Sequence, residues 1–239
     1  MHNGVFQAVP KPLISDYITD EIEKAIVKGA LKPGQKLSLE ELASQFQVSQ
    51  IPVREALNRL AAMGLIVRKP NQGTFVVELS LDELEAILEV RDRLEGLAVS
   101  LAASRATPED IKTLRKLITQ MGKAAGSANT IQLSEVDIAF HRALWVCARN
   151  PFLEKSLAAL MLPMFGYNMA THLPQVDLSS YTRKHERIVD AIADGDGDAA
   201  ERSVVILSDD TRNLIHQDRK REAAAAGKSP TAKKPRRRG

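Results

Sequence analysis

Residues 48–76, VSQIPVREALNRLAAMGLIVRKPNQGTFV, pass from one periodicity to another without a break. In the first half Val53, Leu57 and Leu60 recur at helical spacing, and Ser49 stands where it can cap the helix. Pro52 is tolerated in a first turn whose amides have no intrahelical partner, and Gly64 ends the helix after Met63. In the second half Leu65–Lys69 and Thr74–Glu78 are β-type runs. Between them Pro70-Asn71-Gln72-Gly73 has the glycine that a hairpin turn needs. A short helix followed at once by a hairpin with a basic tip, Arg68 and Lys69, is the core of the argument.

Upstream, Ile14, Ile18, Ile22, Ala25 and Ile26 predict a helix over Ile14–Val27, closed by Gly29. LKPGQKL (31–37) reads as a turn around Pro33-Gly34. Leu39–Phe46 then reads as a second helix with Leu42, Ala43 and Phe46 inward, and Gln47 and Val48 turn the chain into the third. Three helices and a hairpin make a winged helix-turn-helix over residues 13–79, preceded by a mobile start, 1–12. Downstream of Ser80 no segment alternates as a strand does, and each long one has helical periodicity, so residues 80–218 are expected to form an all-α bundle. The expected helices are Ser80 to about Thr107, with a buried stripe of Leu84, Ile87, Leu88, Leu94, Leu97, Ala98 and Leu101, then Pro108–Ala125 and Ser134–Ala148. They continue with Phe152 to about Asn168, interrupted at Pro163, Ser180–Asp194, and Asp198 to about Gln217. The third of these is apolar almost all round and belongs at the centre. The fold class is therefore mainly α, a winged helix-turn-helix followed by a helical bundle.

Composition limits the function. The 33 Lys and Arg against 30 Asp and Glu give a net charge of +3, but unevenly. Residues 1–79 carry 9 basic and 8 acidic side chains, 80–218 carry 15 and 21, and 219–239 carry 9 and 1. The last segment, without apolar periodicity, reads as a disordered basic tail. It serves either to keep the chain soluble or as a non-specific phosphate-binding arm. No apolar run reaches the ~18 residues of a membrane span and no secretory signal opens the chain, so a cytoplasmic protein without a membrane partner is expected. Cys147, the one cysteine, has no disulfide partner and reads as a core residue.

Residues 48–76 closely resemble the winged-helix signature of GntR-type bacterial transcription regulators. EVRDRLEGLAVSLAA (89–103), DIAFHRAL (137–144), Asn150-Pro151 and HERIVDAIADGD (185–196) resemble the FCD effector domain of the FadR-like branch. The resemblance covers roughly residues 10–215. It implies a homodimer that binds double-stranded DNA at a palindromic operator and is released, or occasionally strengthened, when a small metabolite enters the bundle. It further implies a repressor of a metabolic operon rather than an enzyme, with an organic or sugar acid as effector.

On the third helix Val53, Leu57 and Leu60 face the domain core while Arg54 and Asn58, four apart, share the opposite face. Gln50, Ile51, Arg54 and Asn58 are the candidates for the major groove. The forked guanidinium of Arg54 suits guanine O6 and N7, and Gln50, where relatives mostly carry arginine, favours adenine. Pairing of Arg54 with Glu40, Glu41 or Glu55 is the competing reading. Arg68, Lys69 and Gly73 supply charge and close backbone approach at the flank.

Asp137 and His141 stand four apart on the nearly all-apolar helix, and a carboxylate buried there costs several kcal/mol unless paired or ligated. His185 lies on an inward stripe with Tyr181, Ile188 and Ile192. The resemblance makes Asp137, His141 and His185 metal ligands and puts a third histidine in the last helix, where this chain has Leu207. Three ligands can hold one divalent ion of the zinc or nickel type, leaving positions open for an effector carboxylate; alternatively they form a metal-free polar core. Asp210, one turn on, is a candidate substitute ligand, with a solvent-facing position as the competing reading. Arg91 and Asn168, with Tyr167 beside it, are the remaining candidate effector contacts; the competing readings are an intrahelical or interdomain pair of Arg91 with Glu95, and ordinary packing for Tyr167 and Asn168. A metal-dependent enzyme at the same cluster lacks a nearby general base, and a nucleoid protein leaves the bundle without a task.

Overall fold

The computed structural model describes residues 14–171 and 177–226, and the side chains of all of these except 165–171 and 225–226. The expected mobile start and residues 227–239 of the expected tail lie outside the described residues. The first three helices are α1 (Ile14–Val27), α2 (Leu39–Phe46) and α3 (Gln50–Ala62). Ile18, Ile22 and Ile26 of α1 bury against Val53, Ala56, Leu57 and Leu60 of α3, each buried aliphatic side chain contributing about 1.5–3 kcal/mol. Ser38 accepts from the Glu41 amide and starts α2; Gln47, at φ 55°, ends it and turns the chain into α3. Ser49 sits in the capping position with extended backbone but makes no side-chain cap bond, contrary to expectation. The reason is local: the third helical residue is Pro52, which has no amide hydrogen to donate.

The wing is larger than a hairpin. Strands β2 (Ile66–Lys69) and β3 (Gly73–Val76) pair antiparallel, and β1 (Lys36–Leu37), inside the segment read as a turn, pairs with the other edge of β3. The sheet order is β1-β3-β2, with Lys36 opposite Phe75.

Among the described residues six helices follow: α4 (Leu81–Arg105), α5 (Pro108–Gly126), α6 (Thr130–Cys147), α7 (Pro151–Thr171), α8 (Leu178–Ala193) and α9 (Gly197–Ala226). Capping boxes at Ser80/Glu83 and Thr107/Asp110 open α4 and α5, Asn129 opens α6 a turn earlier than expected, and Asp177 opens α8. Helix α7 runs through Pro163 without the interruption expected there. α6 packs against α4, α5 and α7, and its Phe140, Leu144 and Trp145 are almost wholly buried, the central position its pattern called for. On α4 the inward residues are Leu84, Leu88, Arg91, Glu95, Ala98, Val99 and Ala102, whereas Leu97, expected inside, is 48% exposed. Helix α9 does not stop at Gln217. Arg219 pairs with Asp82 and Glu85 at the start of α4, and a good helix-forming run, Ala223–Ala226, extends it, so 219–226 belong to the fold and not to a disordered tail.

The winged domain and the bundle share a core. Ile18, Leu57 and Leu60 lie in one apolar cluster with Trp145, Leu157 and Met161, and a Cβ on Gly64 would stand 3.4 Å from the Ala159 carbonyl of α7. Two ion pairs tie α1 and the residue after it to α6, Glu23–Arg142 and Lys28–Glu135 at 2.8 Å, beside a cavity of about 220 Å³ lined by Val27 and Ile138. Cys147 is buried and free, its thiol pushed up to about 11 by burial and the nearby Asp110 carboxylate, as a core cysteine should be. Among the described residues no helix is long and apolar enough to cross a membrane.

Candidate functional site

The exposed face of the winged domain is assembled from three elements. Gln50, Ile51 (67% exposed), Arg54 and Asn58 all project from α3 to solvent while Val53, Ala56 and Leu57 pin its other side. Among the described residues Arg54 has no side-chain partner, so pairing with Glu40, Glu41 or Glu55 is not its resting state. Its neighbour Arg59, by contrast, is held by Asp16 of α1. Arg68 of β2 donates to the Asn58 side chain, which joins the wing to α3. Gly73 has φ 118°, a region that disfavours side chains, and a Cβ there would lie 3.0 Å from Lys36 Cε. Lys69 and Lys36 stand 5.1 and 6.0 Å from the centroid of the Phe75 ring. Lys36 was missed by the sequence reading because only the β1–β3 pairing brings it to the wing.

The second site is inside the bundle. Asp137 and His141 of α6 and His185 of α8 are 5%, 2% and 0% exposed, and one ligand atom from each lies within 4.8 Å of the others. Behind His141, Glu95 Oε1 accepts from its Nδ1 at 2.7 Å and from Trp145 Nε1 at 3.2 Å, while Arg91 Nε donates to Glu95 Oε2 at 2.9 Å. Behind His185, the Tyr181 carbonyl accepts from Nδ1 at 2.9 Å, and the Tyr181 hydroxyl donates to Asp137 Oδ2 at 2.9 Å. Each Nδ1 therefore donates to an acceptor, and in a neutral ring the other nitrogen, Nε2 on the side of Asp137, is the one that can act as a ligand. Asp137 Oδ1 is 3.0 Å from one and 3.8 Å from the other, and both it and His185 Nε2 lack a hydrogen-bond partner. Two unsatisfied polar atoms facing each other in a buried site, Asp137 Oδ1 and His185 Nε2, call for a proton or a metal cation between them. The cluster passes this test for a divalent ion, with outer carboxylate and carbonyl partners orienting the rings as at metal centres.

Both carboxylates of the cluster are held in the charged form. Burial pushes the Glu95 carboxyl up, but Arg91, His141 and Trp145 outweigh it and hold it well below the usual carboxylate range. For Asp137 burial is likewise the largest influence, overcome by His185, His141 and the Tyr181 hydroxyl, so it too is held low. Burial and the Asp137 charge raise Tyr181 well above its ordinary value, keeping it a donor.

Leu207 is 4% exposed in the apolar cluster that contains Phe140 and Ile188, so that position adds packing rather than a ligand. Asp210 pairs with Lys184 at 2.5 Å and is outside the group of convergent ligands, so of its two readings the ligand role falls away. Arg91 is 4% exposed and committed to Glu95, so it stands behind His141. The signal for this was present: Leu84, Leu88, Arg91, Glu95, Ala98 and Ala102 follow one helical stripe. The Asn168 and Tyr167 side chains lie outside the described residues.

The "Bacterial regulatory proteins, gntR family" model matches residues 14–76, and the FCD domain model matches residues 86–207, about half the chain. This protein belongs to the GntR family of bacterial regulators, in its FCD-domain branch. The regulator is 33% identical to the HTH-type transcriptional regulator LutR of Bacillus subtilis, over 75% of this chain and 91% of LutR. It is 29% identical to the galactonate operon transcriptional repressor of Escherichia coli, over 84% and 96%. Among solved structures, E. coli McbR/YncC superposes with a TM-score of 0.74 at 26% identity, covering 85% of this chain and 97% of that one. The families and these relatives are transcription regulators, not enzymes.

Proposed function

We propose that this GntR-family regulator is a ligand-responsive, sequence-specific repressor of a metabolic operon, acting as a homodimer on a palindromic operator. In this reading Gln50, Ile51, Arg54 and Asn58 enter the major groove while Arg68, Lys69 and Gly73 sit on the flank, and a two-fold protein calls for a two-fold site. The effector is a small organic or sugar acid; the similarity to a repressor named for a galactonate operon supports that class. The observation that carries the ligand response is the convergence of ligand atoms from Asp137, His141 and His185 in one buried site. Asp137 and His141 sit on α6, whose Glu135 and Arg142 pair with Lys28 and Glu23 at the end of α1. A change at the buried cluster thus has a direct mechanical route to the winged helix.

The cluster would hold one zinc- or nickel-type ion, which when bound supplies a Lewis-acidic position for an effector carboxylate. With Leu207 in place of a fourth donor, the ion is expected to bind more weakly than at a four-ligand site. Protein purified without a histidine tag is expected to take up one equivalent of added zinc or nickel and lose it to chelator, and Leu207→His is expected to slow that loss. Metal that resists chelator in the unmodified chain overturns the weakened site; no uptake by either protein favours the metal-free polar core. For DNA, Arg54→Ala is expected to cost about 1–3 kcal/mol on an operator obtained by in vitro selection, and unchanged affinity removes Arg54 from the interface. A thermal-shift screen with organic and sugar acids, run with and without the metal, tests the effector class.

A further inference from the structure

The wing has two unlike faces. Residues directly opposite in an antiparallel ladder share a face, and successive residues alternate, so Leu37, Thr74 and Arg68 lie on one side of the sheet with Ile66 and Val76. Leu37, Ile66 and Val76 are buried, and Arg68, at the end of that side, reaches Asn58 of α3. Lys36, Phe75 and Val67 lie on the other side, together with Lys69 and Gly73. That side faces outward: Lys36, Val67, Lys69 and Gly73 are exposed and Phe75 is half-buried. Arg68 and Lys69, neighbours in the chain, therefore serve opposite faces, and the cation that joins Lys69 on its face is Lys36 of β1.

The surroundings of Lys36 fix where its charge stands. Its stem leans over Gly73, where a Cβ would be 3.0 Å from Cε and 3.8 Å from Nζ, so the missing side chain at 73 leaves the path open. The Lys36 and Lys69 ammonium groups are 6.0 and 5.1 Å from the centroid of the Phe75 ring, within cation–π range, which puts them at most ~11 Å apart. Among the described residues neither forms an ion pair, whereas Lys24, Lys28 and Arg59 of the same domain are committed to Glu21, Glu135 and Asp16. Two cations held on one ring without a counter-charge repel each other, and a polyanion laid across them relieves that repulsion. Each strand of duplex DNA carries one phosphate charge per ~3.4 Å of helix axis, so such a spacing matches two or three successive phosphates.

We propose that Lys36 is a DNA-contacting residue, set on β1 to grip the phosphate backbone together with Lys69 along the outer face of the wing, with the Phe75 ring positioning both. This rests on DNA binding by the winged helix, and the test separates the two. Four proteins are compared: the parent; Lys36→Met, which keeps an apolar stem over Phe75 and removes the charge; Lys36→Arg, which keeps the charge; and Lys32→Met, which removes an exposed cation from the turn before β1. Each is titrated over a range of salt against an operator obtained by in vitro selection and against a random-sequence duplex. Lys36→Met is expected to bind both duplexes ~3-fold or more weakly at low salt, by similar factors, with the slope of log affinity on log salt shallower by ~0.9 per protomer. Lys36→Arg and Lys32→Met are expected to keep the parental slope. Parental affinity and slope in Lys36→Met overturn the proposal, and so does a loss in Lys36→Arg as large as in Lys36→Met, which assigns the effect to geometry. An equal deficit in Lys32→Met makes it one of net charge and overturns the contact, and a deficit confined to the selected operator overturns the assignment to phosphate. A parent that binds neither duplex overturns the winged-helix reading instead. If Lys36→Met lowers the melting temperature, Lys36→Gln decides by the same readouts.

Discussion

At the scale of single residues, Glu95 concentrates the chemistry of the bundle. It is wholly buried, accepts from Arg91, His141 and Trp145, and fixes which nitrogen of His141 faces Asp137. A buried charge is tolerable only while its partners stay, and removing one partner of a buried pair costs about 3–5 kcal/mol because the other is left uncompensated. Glu95→Gln keeps the shape and removes the charge, so it is expected to destabilise the protein by about that amount in urea unfolding at fixed protomer concentration. It is also expected to weaken zinc uptake by about 10- to 100-fold, because the residue orienting a ligand is conventionally worth that much. A variant as stable as the parent would mean that Arg91 reaches another acceptor.

At the scale of elements, the helices are defined by their first turns. Thr107 and Asp110 exchange hydrogen bonds at the start of α5, the Thr107 amide reaching Asp110 Oδ2 at 2.8 Å, with Arg149 beside it. The backbone amide is the largest influence on Asp110, and it holds the carboxyl below its usual range. A carboxyl depressed in the folded state adds stability at pH above its unfolded value of about 3.9, and that stability is lost as pH falls through the folded value. Asp110→Asn is therefore expected to lower stability by about 1 kcal/mol at neutral pH, the usual worth of a cap. In melts recorded down to acidic pH the gap between the two proteins should close. A gap that stays constant with pH would assign the loss to geometry and not to charge.

At the scale of the molecule, the DNA-binding domain has no private core. Leu57 and Leu60 of α3 belong to the same apolar cluster as Trp145, Leu157 and Met161 of the bundle, and Gly64 is in contact range of α7. The two domains are expected to unfold in one calorimetric transition, with calorimetric and van't Hoff enthalpies in agreement. Excised alone, residues 14–80 lose that shared surface, and each lost kcal/mol lowers the midpoint of so small a domain by about 4–8 °C. Two resolved transitions in the full protein, or an excised domain as stable as the intact one, would show that the shared cluster adds little.

The local alphabet of this fold was legible in the chain because helices and hairpins are written at short range. The three-four spacing of Val53, Leu57 and Leu60, the stop at Gly64 and the turn at Asn71–Gly73 specify α3 and the β2–β3 hairpin wherever they are placed. The same logic exposed Arg54 and brought Asp137 to His141, since residues four apart on a helix share a face whatever surrounds it. What only the tertiary structure decided lies beyond that range. Lys36–Leu37 becomes a strand because β3 offers an unpaired edge 37 residues later, and α9 continues past Gln217 because Asp82 and Glu85, over 130 residues earlier, wait for Arg219. The inward turn of Arg91 and Glu95 was decided by α6, whose His141 and Trp145 give Glu95 the donors that a buried carboxylate must have. A hydrogen bond or ion pair is satisfied by proximity in space, and periodicity along a chain records only the half of each pair that is present locally.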